Sequence, residues 1–218
     1  MNDFAAALLL SLRVAILATI VASVVGIPLA YVFARRRFPG KALFETLLTV
    51  PLVLPPTVVG YILIIILGRQ SVVGRLLDGV FGWRLLFTVS GAVIASAVVS
   101  LPLLYLPTKA AFATMERELE DVARLMGASP LEIFWHVSLP IARRGIGSGV
   151  LLAFARSLGE FGATVMILGI SPSRQTLPIR IYLDYTDGDM ARSAGAVIVL
   201  TAVSFLVILL YNRTAGRD

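Results

Sequence analysis

Five stretches of this chain are nearly free of charge, and each is long enough to constrain the fold before any motif is considered. Val14–Ala34, Thr46–Gly68, Leu85–Thr108 and Ser193–Asn212 contain no Asp, Glu, Lys or Arg. Gly145–Gly169 contains only Arg156 and Glu160. About 20 apolar residues in a helix cross ~30 Å of hydrocarbon. The pattern predicts an all-α integral membrane protein with one permease-sized domain over 1–218. It has five transmembrane helices, at about 8–34, 43–68, 85–108, 145–169 and 193–212. Composition agrees: 58% of the 218 residues are hydrophobic and 15% charged, against roughly half and a quarter in soluble domains. The first run is long and no basic stretch precedes Arg13, so it reads as a retained span and not a cleaved signal.

Five spans put the termini on opposite sides. Eleven Lys and Arg, among them Arg35, Arg36, Arg37, Lys41, Lys109, Arg124 and Arg144, flank one side, and seven the other. Positive charge collects on cytoplasmic loops. The 109–144 loop and the C-terminus are therefore expected in the cytoplasm, the N-terminus outside, and the +6 net charge needs no nucleic acid to explain it. With no Cys and a single His, His136, no catalytic residue and no metal site is expected.

Two spans carry features that cost energy in lipid. Pro51, Pro55 and Pro56 interrupt the second, removing backbone donors and clashing with the preceding turn. That span is read either as broken and lining a pathway or as merely kinked. In the fourth, Arg156 and Glu160 stand one turn apart on what reads as one helix, where intramembrane charge by default signals function. Mutual neutralisation as a structural pair and direct contact of Arg156 with an anion are the two readings. Gly145, Gly147, Gly149, Gly159 and Gly162 in the same run allow close helix packing.

The 109–144 loop is the most structured part of the polar sequence. Leu119, Val122, Ala123 and Met126 repeat at helical spacing, and Gly127 follows as a left-handed stop. Ser129-Pro130-Leu131-Glu132 is a capping box with proline at the first helical position. The second helix carries Leu131, Phe134, Trp135 and Ser138 and is expected to stop before Pro140. Phe134 and Trp135 either anchor a partner or fold back onto the chain's own spans.

Residues 121–140 resemble the EAA motif of binding-protein-dependent ABC importer permeases. Asp121-Val122-Ala123 stands for Glu-Ala-Ala, Gly127 falls on the motif's glycine, Val137 replaces its isoleucine, and Leu139-Pro140 match, with the spacing kept. The segments 29–41, 51–69, 154–167 and 176–182 are similar to molybdate permease subunits, with sulfate/thiosulfate and tungstate permeases as relatives. The resemblance implies a homodimer with the oxyanion pathway at its axis, served by an extracytoplasmic oxyanion-binding protein. Two copies of a separate ABC ATPase subunit would hold ATP and Mg, this chain binding no cofactor. It assigns ATPase coupling to Asp121, Ala123, Gly127, Pro130, Leu131, Phe134, Trp135, Leu139 and Pro140. The sequence has no G-x-x-x-x-G-K-[ST] phosphate loop, so ATP hydrolysis is expected on another chain. The polar stretch 172–191 is expected to be either a dock for the binding protein or a solvated connector. With the YNRTAGRD tail following the last span directly, no appended regulatory domain is expected on this chain. A secondary transporter is the alternative, but no internal repeat supports it.

Overall fold

The computed structural model describes residues 3–171 and 174–215, apart from the side chains of Phe81, Thr214 and Ala215, and every regular element among them is helical. Three helices are long and apolar enough to cross a membrane unaided: α1 (Asp3–Arg35), α5 (Val89–Thr114) and α12 (Met190–Ala215). The remaining elements are α2 (Lys41–Thr49), α3 (Pro56–Leu67), α4 (Val72–Phe81), α6 (Arg117–Leu125), α7 (Pro130–Ile133), α8 (Leu139–Ile141), α9 (Arg143–Leu158), α10 (Gly162–Leu168) and α11 (Leu177–Thr186).

α1 and α5 form the spine. The buried face of α1 is a ladder of small residues, including Ala7, Ser11, Ala15, Ala18, Ala22, Gly26 and Ala30. Helices in lipid gain little from the hydrophobic effect between them, so packing depends on close backbone approach across such faces. α9 lies against α5 in the same manner. A Cβ added to Gly149 would stand 2.7 Å from the Leu104 carbonyl oxygen, whereas one on Gly147 would meet nothing within 4 Å. Only part of the glycine series in the fourth run therefore does packing work. Outward-facing positions of α12, such as Ile198, Phe205 and Leu206, are exposed and apolar, as a lipid-facing helix requires.

The second apolar run is broken, not kinked: Lys41–Leu52 and Pro56–Leu67 meet at 118°. The tandem prolines explain where. Pro55 is the N-cap of α3 and Pro56 its first residue, positions where a missing N–H costs nothing. The Val53 and Leu54 amides both donate to the Val50 carbonyl across the bend, so these two donors stay satisfied within the chain.

The fourth run is also broken, which its sequence did not predict. α9 ends at Leu158, and Gly159, Glu160 and Phe161 separate it from α10. The two breaks abut. A Cβ on Gly162 would lie 2.9 Å from the Pro56 Cβ and 3.0 Å from the Thr57 nitrogen. The segment expected to be loop between 172 and 191 contains α11, with Leu177, Ile179, Arg180 and Asp184 buried, so a solvated connector is ruled out for that part; Pro172 and Ser173 lie outside the described residues. Its first amide, Leu177 N–H, donates to Ser11 Oγ at 2.7 Å.

Overpacking a tight contact costs about 1–3 kcal/mol. Gly149→Ala is expected to lower the midpoint of thermal unfolding in detergent, while Gly147→Ala leaves it level or slightly higher, as Gly-to-Ala does in an open helical position.

Candidate functional site: the helical elbow and the broken spans

The residues from α6 to α8 form a hairpin at one end of the bundle. Its local structure follows from short-range chemistry. α6 ends at Leu125, and Gly127 takes the left-handed conformation at φ 90°, which only glycine enters without a penalty. Ser129 Oγ accepts the Glu132 amide at 3.3 Å, and Glu132 Oε2 accepts the Ser129 amide at 2.7 Å, completing the capping box. The Ser129 amide, and then its hydroxyl, hold the Glu132 carboxyl below the usual carboxylate range. A depressed pKa means this support is present at neutral pH and fades as acid titrates Glu132.

The helix does not stop before Pro140. It continues through a widened turn, Phe134–Ser138, into α8. The Leu139 amide reaches back to the Phe134 carbonyl, five residues earlier. Proline normally clashes with the carbonyl four residues before it. Opening the preceding turn by one residue is a known way for a helix to absorb such a defect. α8 then turns by 77° into α9, so the hairpin is continuous with a helix of the bundle.

α6 is packed inside out. Its buried residue is Glu120, while Leu119, Val122, Leu125 and Met126 are exposed, the last two at 88% and 84%. Glu120 Oε1 receives Arg35 Nε at 3.1 Å and Ser138 Oγ at 2.8 Å, and Arg35 Nη1 donates to the Met115 carbonyl at 3.0 Å. One carboxylate thus ties α6 to the end of α1 and to the widened turn. Glu120 lies off the apolar stripe of Leu119, Val122, Ala123 and Met126, and nothing in its spacing marks it for burial. The available signal was a run of arginines, Arg35 to Arg37, at the end of α1, with an acidic helix elsewhere on the same expected side.

The two aromatics part company. Phe134 packs inward on Tyr31, with ring centroids 5.0 Å apart, and on Phe112 at 6.4 Å. It folds back onto its own bundle and offers no outward anchor. Trp135 sits edge-on against Phe134 and remains 55% exposed, as Leu131 does at 66%. Asp121, Gly127, Pro130 and Pro140 are exposed, and Ala123 and Leu139 are half-buried. The exposed apolar surface therefore centres on the glycine turn, at Leu125, Met126, Leu131 and Trp135. Asp121 pairs with Arg124 at 2.7 Å beside it.

Arg156 and Glu160 do pair, Nη1 to Oε2 at 2.6 Å, but not along one helix. Arg156 is in the last turn of α9, and Glu160 lies in the break beyond it. Glu160 Oε1 accepts the Ala163 amide at 2.8 Å, capping α10. The carboxylate closes the end of one half-helix and answers the charge on the other. Pro51 lies in a short 3₁₀ turn after α2, and Pro55 and Pro56 open α3.

Glu160 is 1% exposed and Arg156 29%. Breaking one side of a buried pair costs about 3–5 kcal/mol, with solvent at Arg156 pulling toward the lower end. Arg156→Gln is expected to lower the unfolding midpoint, and adding Glu160→Gln to restore most of it. Unchanged stability with reduced oxyanion uptake would make Arg156 an anion contact instead.

With this geometry in view, comparison with known proteins places the chain. Residues 22–217 match the model of the binding-protein-dependent transport system inner membrane component. A molybdenum transport system permease protein, ModB, of Escherichia coli is 40% identical over 206 residues, 94% of this chain and 90% of that protein. A sulfate transport system permease protein, CysW, of Synechocystis is 33% identical over 210 residues, 96% of this chain and 76% of that one. A chain of a bacterial alginate ABC transporter, crystallised with an alginate pentasaccharide-bound periplasmic protein, superposes with a TM-score of 0.75 at 17% identity. It covers 100% of this chain and 80% of that one, so the two share a fold. The inside-out hairpin, the broken apolar runs and a match over nearly the whole length lead to one assignment: the chain belongs to the family of inner membrane components of binding-protein-dependent transport systems.

Proposed function

We propose that this chain is the permease subunit of an ATP-driven importer of molybdate, working as a homodimer. It crosses the cell membrane five times, with its N-terminus outside and the hairpin in the cytoplasm. An extracytoplasmic binding protein delivers the oxyanion, and two copies of a separate ATPase subunit supply the work. Molybdate is favoured over sulfate because the relative named for molybdenum transport is 40% identical and the one named for sulfate 33%. A tungstate or sulfate permease is the alternative within the same family.

One observation carries the coupling role. A helix that buries its glutamate and exposes Leu119, Val122, Leu125 and Met126 leaves an apolar patch open, and such patches mark partner surfaces. Through the Arg35–Glu120–Ser138 cluster, force applied to that patch passes to the end of α1. Through α8 it passes to α9. α9 ends at the Arg156–Glu160 break, which abuts the proline break at Pro55 and Pro56. A push on the elbow thus reaches both interrupted runs, the segments with the fewest continuous helical bonds to resist rearrangement. In this scheme Asp121 and Arg124 rim the dock, and Gly127 and Pro130 shape its turn. Pro51, Pro55 and Pro56 supply the flexible joint beside the pathway.

Leu131→Asp with Trp135→Asp is expected to abolish co-purification of the ATPase while leaving the unfolding midpoint unchanged, since both side chains are exposed. Phe134→Asp alone is expected to lower the midpoint, because it removes a ring packed on Tyr31 and Phe112. Normal ATPase capture by the double variant would move the dock elsewhere. Calorimetry of the cognate binding protein is expected to show tighter binding of molybdate than of sulfate, and the reverse order would reassign the substrate.

A further inference from the structure

Beneath the elbow, between the last turn of α1 and the hairpin, lies a cavity of about 400 Å³. Its charged lining is Arg35, Arg36, Arg117 and Arg124 against Glu120 and Asp121. Four guanidiniums against two carboxylates leave two positive charges. The pairings show where they reside. Asp121 is taken by Arg124 at 2.7 Å, and Glu120 by Arg35 at 3.1 Å. Among the described residues neither Arg36 nor Arg117 forms an ion pair.

Arg35 supplies a second and independent sign. Its side chain is 8% exposed. Nε and Nη1 are engaged, but Nη2 is buried with no acceptor. A buried donor on a charged group is expensive to leave unmade, and a guanidinium with one free edge is suited to an incoming oxyanion. Exposed arginines on a loop are ordinarily solvated and mean nothing. A half-satisfied arginine in the wall of a cavity with surplus positive charge is different.

We propose that this cavity is an anion site for a phosphate-type group, held by Arg36 and Arg117 with Arg35 at its back. Guanidinium forks match the tetrahedral oxygens of such a group in paired hydrogen bonds. Two sources share that chemistry: free inorganic phosphate, and the headgroup of an anionic lipid, which the position beside the end of a membrane-crossing helix makes accessible. An occupant bridges α1 to α6 next to the Arg35–Glu120 pair and so stiffens the elbow. The inference is independent of which substrate the chain carries.

The test uses the full-length chain in nanodiscs and reads its unfolding midpoint. In phosphatidylcholine discs, titration with inorganic phosphate reports the free ion. Exchange of phosphatidylcholine for phosphatidylglycerol, without phosphate, reports the headgroup. A rise in either arm that Arg36→Gln with Arg117→Gln removes, and that Arg37→Gln retains, supports the site and names its source. Arg37 adjoins Arg36 in sequence but does not line the cavity. The double substitution is expected to weaken phosphate binding about tenfold per guanidinium removed. No rise in either arm overturns the proposal. So does a rise that the double variant keeps, or one that Arg37→Gln removes equally, since both outcomes indicate general surface charge.

Discussion

In hydrocarbon every backbone N–H and C=O must find a partner within the protein, because no water is there to supply one. The architecture follows from how the chain meets that demand where its helices are interrupted. The break at Val53–Pro55 is closed by two amides sharing the Val50 carbonyl, with prolines placed where no donor is missed. The break at Gly159–Phe161 is closed by the Glu160 carboxylate on the Ala163 amide. α3 and α10 meet at these breaks, as the lack of room for a Cβ at Gly162 shows. Two interruptions, one at Pro55 and Pro56 and one at Glu160, thus meet at a single joint.

The same economy of partners explains the hairpin. Burying Glu120 is tolerable because three donors and a carbonyl are organised around it: Arg35 and Ser138 on the carboxylate, and Arg35 again on Met115. Once the acidic side of α6 turns inward, its apolar stripe has nowhere to go but out. The exposed patch at the glycine turn is therefore a consequence of an electrostatic contact on the opposite face. Hairpin and bundle are joined twice, by the Arg35–Glu120 ion pair and by α8.

Much of the local structure was legible in advance. The glycine stop at Gly127 and the capping box at Ser129 and Glu132 are set by side chains within three residues of their partners, and they formed as read. The proline break at Pro55 and Pro56 was one of two readings, and the bend of 118° decides between them. The direction of Phe134 was not legible, since helical spacing places it beside Trp135 without saying which ring meets Tyr31 and Phe112. Nor was the helix running through Pro140, because a widened turn upstream leaves no signature in residue type. The pairing of Arg156 with Glu160 was one of two readings of their spacing, and the ion pair is present, yet the end of α9 between them was not foreseen. Gly159 is mild as a breaker, and it is the cap on α10 that makes the interruption stable.

By itself the sequence determined a helical membrane protein, the places where its helices start and stop at strong caps, and the motif that marks its hairpin. These depend on interactions within a turn or on the bulk preference of apolar runs for lipid. Only the tertiary structure decided which face of α6 turns inward, which aromatic remains available and which interrupted runs meet. Those outcomes rest on contacts such as Arg35 with Glu120, between residues 85 positions apart, and no periodicity along one helix carries information about what stands across from it.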